Sequence, residues 1–95
     1  MDLEQVRNEI DKIDSEIRKL LASRMSLIPI VAKIKIEKGI KMHQPRREEE
    51  IYNRIREFAK EAKIDEELLV EIYRLIIKKS LEIECEYERR MKNEL

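Results

Sequence analysis

LEQVRNEIDKIDSEIRKLLASRMSLIPIVAKIKIEK, residues 3–38, carries the apolar repeat that decides the fold. Leu3, Val6, Ile10, Ile13, Ile17, Leu20, Arg24, Leu27, Val31 and Ile34 follow one another at alternating spacings of three and four, through five heptads. Asp2 stands as the N-cap, with Gln5 placed three residues on to complete a capping box. Gly39, the only glycine, falls just past the last periodic residue, and Lys35 and Lys38 occupy the final turn. The spacing predicts one helix over about 3–38, roughly 54 Å long at about 1.5 Å per residue. Pro29 withdraws the hydrogen bond to the carbonyl of Met25, so the helix is expected to kink there. The heptad phase is nevertheless the same on both sides of it. A seam of that length is more than one small globule buries, so a partner chain is implied.

Outward from this stretch, residues 40–44 read as a short loop and Pro45 as the first position of a second helix, with Glu48, Glu49 and Glu50 near its N-terminus. That helix is predicted over 45–62, with Ile51, Ile55, Phe58 and Ala62 as its apolar face. Asp65 caps a third helix, about 66–93, whose stripe runs Leu69, Ile72, Ile76, Ser80, Ile83, Tyr87 and Met91. The expectation is an all-α chain of three helices with a long first helix, forming a single domain over residues 1–95.

Composition agrees. Ninety-five residues allow one domain. Glu, Lys, Arg, Leu and Ala supply 51 of them, whereas there is one Gly, two Pro, no Trp and no Thr, which is the balance of long helices and not of a sandwich or barrel. Lys+Arg 21 against Asp+Glu 21 leaves no net charge, so nucleic acid is not an expected partner. No apolar run approaches a membrane span, and the acidic N-terminus lacks the pattern of a signal peptide. A lone Cys85 precludes an internal disulfide and fits a reducing compartment, so the expected location is cytoplasmic.

Most of the charged 44% lies on outward helix faces. Arg24 does not. It occupies a seam position between apolar neighbours, where a guanidinium must be paired or must bind an anion; an interhelical ion pair or a register-setting residue is the plain alternative. Lys35, eleven residues on, returns to within about 20° of the same face and about 16 Å along the axis, leaving room for a small anion between the two. Arg7 lies about 25 Å from Arg24 along the axis. In an antiparallel pair of first helices crossing near residue 18, a second chain's Arg7 would fall opposite residue 29, between Arg24 and Lys35. Ser80 and Glu84 share one face of the third helix, one turn apart. Arg47 and Glu48 open the second helix, where they also serve as dipole and capping residues. His43 stands alone in the loop without metal-ligand company, and Cys85 has no dyad partner.

Arg7 followed by Ile10, Ile13 and Asp14, then Arg24 and Lys35, then P-x-R-E at Pro45–Glu48 and L-I-I-x2-S-x3-E from Leu75 to Glu84, form an ordered set. In it the chain resembles the all-helical class of chorismate mutases over essentially its whole length. The resemblance implies an intertwined homodimeric six-helix bundle with two equivalent sites, and isomerisation of chorismate to prephenate in aromatic amino-acid biosynthesis without a cofactor or metal. It implies that Arg24 and the partner subunit's Arg7 hold the two substrate carboxylates, and that Lys35 contacts a carboxylate and the ether oxygen. Gln44 and Glu48 would bind the ring hydroxyl, Ser80 the ring carboxylate, and Glu84 the ether oxygen, with Arg47 completing the charge balance. Two positions depart from the family's common pattern: Glu84 stands where many bacterial members carry glutamine, and Gln44 where an aspartate is usual. An isochorismate-pyruvate lyase of the same fold, and a non-catalytic helical dimerisation module, are the rival readings.

Overall fold

The computed structural model describes residues 1–94 and consists of helices and connecting turns, with no strand among them. The capping box forms as expected: the Asp2 carboxylate accepts from the Gln5 amide at 2.8 Å, and the Gln5 side chain accepts from the Asp2 amide at 2.8 Å. Helix α1 then runs Leu3–Ser26 and α2 Ile28–Lys38.

The expected single helix is therefore interrupted, at Leu27. Pro29 has no N–H to donate, and the turn before it tightens so that the Leu27 amide reaches back three residues to the Arg24 carbonyl, at 3.2 Å. Leu27 keeps right-handed helical dihedrals (φ −80°, ψ −18°), and its carbonyl accepts from Val31 at 3.0 Å. The chain thus proceeds from α1 into α2 without a loop.

Gly39 ends α2 in the left-handed conformation (φ 67°), with its own amide on the Ile36 carbonyl and that of Ile40 on the Lys35 carbonyl. After a short loop, α3 spans Pro45–Ala62, and α4 spans Glu66–Glu94 behind an Asp65 cap whose carboxylate accepts from the Glu67 amide at 2.9 Å.

Both α2 and α3 pack on α4, whereas α1 meets α4 only near its own C-terminus. The buried apolar side chains are Ile28 and Ala32 of α2, Met42 of the loop, Ile55 and Ala59 of α3, and Ile77 of α4. The stripe expected on the second helix is corrected here. Phe58 is 58% exposed and Ala62 is exposed, while Ala59 is buried to 2%. Helix α3 leans on α4 along the steeper line Ile51, Ile55, Ala59, and the small Ala59 side chain permits close approach. On α4, Ile72 and Ile83 of the expected stripe are exposed, and the deepest positions are Ile77, Ser80 and Glu84.

No residue of α1 is buried. Leu3, Val6, Ile10, Ile13, Ile17 and Leu20 all face outward, from 38% exposed at Val6 to 68% at Leu20. The molecule measures 60 × 25 × 16 Å.

Candidate active site

A cavity of about 420 Å³ opens between α2, α3 and α4. Its floor is the polar line that interrupts the apolar face of α4. Ser80 is 6% exposed and Glu84 7% exposed, the two polar residues buried among the core.

The Ser80 hydroxyl donates to the Ile76 carbonyl one turn back, at 2.7 Å. Its lone pair is thereby turned outward, and it accepts from Arg24 Nη1 at 3.1 Å. Arg24 stands in the last turn of α1 and makes no ion pair with any carboxylate among the described residues. A neutral hydroxyl leaves its charge uncompensated, and most of the five guanidinium donors remain for another acceptor.

At the other end of the cavity, Lys35 Nζ lies 2.6 Å from Glu84 Oε1 and 2.7 Å from the Met42 carbonyl oxygen. The left-handed turn at Gly39 brings Met42 back beneath the end of α2 and makes this geometry possible. With side chains 16% and 9% exposed, Lys35 and Glu84 form a largely desolvated pair. Among the described residues, the only other carboxylate on the cavity wall is that of Glu48, from the first turn of α3.

Seven of the eight residues singled out from the sequence line this one cavity: Arg24, Lys35, Gln44, Arg47, Glu48, Ser80 and Glu84. Gln44 is the N-cap residue of α3 without a capping side-chain bond; its amide nitrogen donates instead to the Lys41 carbonyl at 3.0 Å. Arg47 sits 3.5 Å from Glu50 on the exposed side of α3. Arg7, the eighth residue, lies on the exposed first half of α1 and is not part of the cavity wall.

Two contributions were not evident from sequence. One is the Met42 carbonyl on Lys35, a backbone contact that residue type does not signal. The other is His43, whose Nε2 lies 3.3 Å from Glu48 Oε2. Its only signal was proximity in sequence across a loop of unknown shape.

The wall carries Arg24, Lys35 and Arg47 against Glu48 and Glu84, three positive charges and two negative, a net of one positive. Apolar Ile28, Val31, Ile51 and Leu81 complete it. Such a container suits a small, partly apolar anion held between two cationic ends.

The family profile described as chorismate mutase type II matches residues 6–85, which include all of the cavity residues and Arg7. The chain belongs to the type II chorismate mutase family. It is 38% identical over 91 residues to a chorismate mutase of Methanocaldococcus jannaschii, covering 96% of this chain and 92% of that one. It is 40% identical over 86 residues to a bifunctional chorismate mutase/prephenate dehydratase of Aquifex aeolicus; the match spans 87% of this chain and 24% of the larger protein. A 4-amino-4-deoxychorismate mutase of Streptomyces venezuelae is 29% identical over 83 residues, covering 87% of this chain and 81% of its own.

Proposed function

We propose that this protein isomerises chorismate to prephenate by a [3,3] rearrangement in the cytoplasm, as a homodimer whose two cavities each take Arg7 from the opposite subunit. The observation that carries the reading is the convergence on one cavity of Arg24 without a carboxylate partner, the Lys35–Glu84 pair and Ser80, residues drawn from three different helices.

The rearrangement breaks a C–O bond as a C–C bond forms, with no nucleophile and no proton transfer required. The protein's part is to hold a flexible dianion compact and to stabilise the negative charge that grows on the ether oxygen. Arg24 binds one carboxylate with the donors that Ser80 leaves free, and Ser80 keeps that guanidinium pointed into the cavity. The partner subunit's Arg7 binds the other carboxylate. Adding it to the wall gives four positive charges against two negative, and the resulting net of two matches a dianion.

Glu84 and Lys35 flank the ether oxygen. An ionised carboxylate has no proton to offer there. Lys35 is the donor to the oxygen on which negative charge develops, and its 2.6 Å pair with Glu84 and its bond to the Met42 carbonyl fix it there. Glu48 accepts from the ring hydroxyl.

The test is to incubate purified protein with chorismate and follow its loss together with the appearance of prephenate, with isochorismate and 4-amino-4-deoxychorismate assayed in parallel. Turnover of chorismate alone or in preference is expected. Failure to consume it under conditions where the protein is folded overturns the reading.

A further inference from the structure

We propose that His43 is a positioning residue for substrate binding, acting through Glu48; the inference rests on the mutase reading, in which Glu48 holds the ring hydroxyl. His43 Nε2 lies 3.3 Å from Glu48 Oε2. The imidazole is exposed, but the backbone that carries it is held on both sides. Met42 before it is buried, 5% exposed, and its carbonyl is fixed by Lys35 at 2.7 Å. Gln44 after it caps α3, its carbonyl accepting from the Glu48 amide at 3.1 Å and its side chain reaching back to Lys41. His43 is therefore presented to Glu48 from a braced turn and not from a free loop.

The surrounding charges direct it to that carboxylate. Lys35 on α2 and Glu84 on α4 neutralise one another at 2.6 Å, and Arg47 on α3 lies 3.5 Å from Glu50. Lys41 in the loop and Arg46 on α3 are cations, which offer a protonated imidazole nothing. Glu48 is left as the carboxylate that His43 meets, and its side chain is 29% exposed at the cavity wall.

A carboxylate has acceptor sites on two oxygens. Holding Oε2 through His43 leaves Oε1 for the substrate and freezes a long side chain before the ligand arrives, removing an ordering cost that would otherwise fall on binding. This contact is made equally to substrate and transition state, so it belongs to KM and not to kcat.

The experiment measures kcat and KM for chorismate in wild type, His43→Ala, His43→Gln, Glu48→Gln and the His43→Ala/Glu48→Gln double variant. Expected for His43→Ala are a KM raised about 3- to 10-fold and kcat within about twofold of wild type. His43→Gln keeps a neutral donor and recovers much of the low KM. In the Glu48→Gln background, His43→Ala adds nothing further. Three results overturn the proposal: a KM unchanged in His43→Ala, a full additional loss in the double variant, or a fall in kcat and thermal stability that His43→Gln does not repair. Absence of turnover in wild type removes the mutase reading itself, and this inference with it, before any substitution is made.

Discussion

A guanidinium on an apolar seam costs several kcal/mol to desolvate unless it meets an acceptor or an anion, and among the described residues the Arg24 guanidinium finds its acceptor only in the Ser80 hydroxyl. If its role is substrate binding, Arg24→Leu keeps the helical content and the oligomer while lowering kcat/KM by at least about 100-fold; circular dichroism, sedimentation and initial rates report the three separately. If Arg24 only sets register, the same change strengthens association and touches nothing else. Glu84 makes a different prediction. Glu84→Ala removes the 2.6 Å partner that fixes Lys35 and is expected to lower kcat, whereas Glu84→Gln, a neutral donor at the same place, keeps it. Equal kcat for wild type and Glu84→Ala would remove Glu84 from the chemistry. The Lys35–Glu84 pair also bears on stability. Lys35→Ala strands a carboxylate that is 9% exposed and is expected to cost about 3–5 kcal/mol, whereas a Lys35→Met/Glu84→Leu double variant recovers most of that stability in urea titration and none of the turnover. Arg24 and Ser80 were legible in the sequence because each is polar on an otherwise apolar helix face; Lys35, by itself a last-turn lysine, and Glu84, standing among Glu82, Glu86 and Glu88, stood out only through the ordered set that resembles the family. His43 was not, since its contact with Glu48 depends on how a five-residue connection folds, which helical periodicity does not describe.

Helix ends carry their own arithmetic. Two helices terminate in a left-handed residue, α2 at Gly39 (φ 67°) and α3 at Lys63 (φ 56°). Only glycine adopts this conformation without steric cost. Lys63→Gly should therefore stabilise the protein by about 0.5–1 kcal/mol. Gly39→Ala should destabilise it by a similar amount or more, wholly through backbone strain, because an added Cβ would meet nothing within 4 Å. Thermal melts of the two variants should shift in opposite directions, and a shared direction would contradict the assignment. Near the end of α4, hydrogen bonds from Arg89 hold the Glu86 carboxyl below its ordinary range, with Arg90 adding to the effect. The sign follows: that pair supports the helix at neutral pH, and its support fades as acid protonates Glu86. The boundaries of α3 and α4 could be read in advance because Pro45, Asp65 and the acidic first turns are local signals. The face of α3 could not. A three-four stripe through Phe58 and a four-four line through Ala59 fit the same residues, and the choice depends on the crossing with α4.

At the scale of the molecule, the long apolar seam identified in the sequence is the feature that one chain leaves unsatisfied. Ile10, Ile13, Ile17 and Leu20 stand exposed on a helix that buries none of its residues, and Arg7 is carried on that same helix, outside the cavity. Sequence reasoning reached the seam because a heptad repeat is a property of one helix. How two such helices cross depends on a second chain. Under the proposed dimer, a two-fold pairing of first helices would cover the seam and deliver each Arg7 to the opposite cavity in one arrangement, so dimerisation and catalysis should fail together when the seam is charged. Ile13→Lys is expected to sediment as a monomer without turnover. Subunit mixing tests the exchange of Arg7 more sharply. Arg7→Ala and Arg24→Ala chains, each inactive alone, should form mixed dimers in about half of the population when unfolded and refolded together in equal amounts. In such a dimer, one site joins the intact Arg24 of one chain to the intact Arg7 of the other, while the second site lacks both. Activity should return to about one quarter of the wild-type value. If Arg7 served the cavity of its own chain, every site in the mixed dimer would lack one arginine, and mixing would restore nothing.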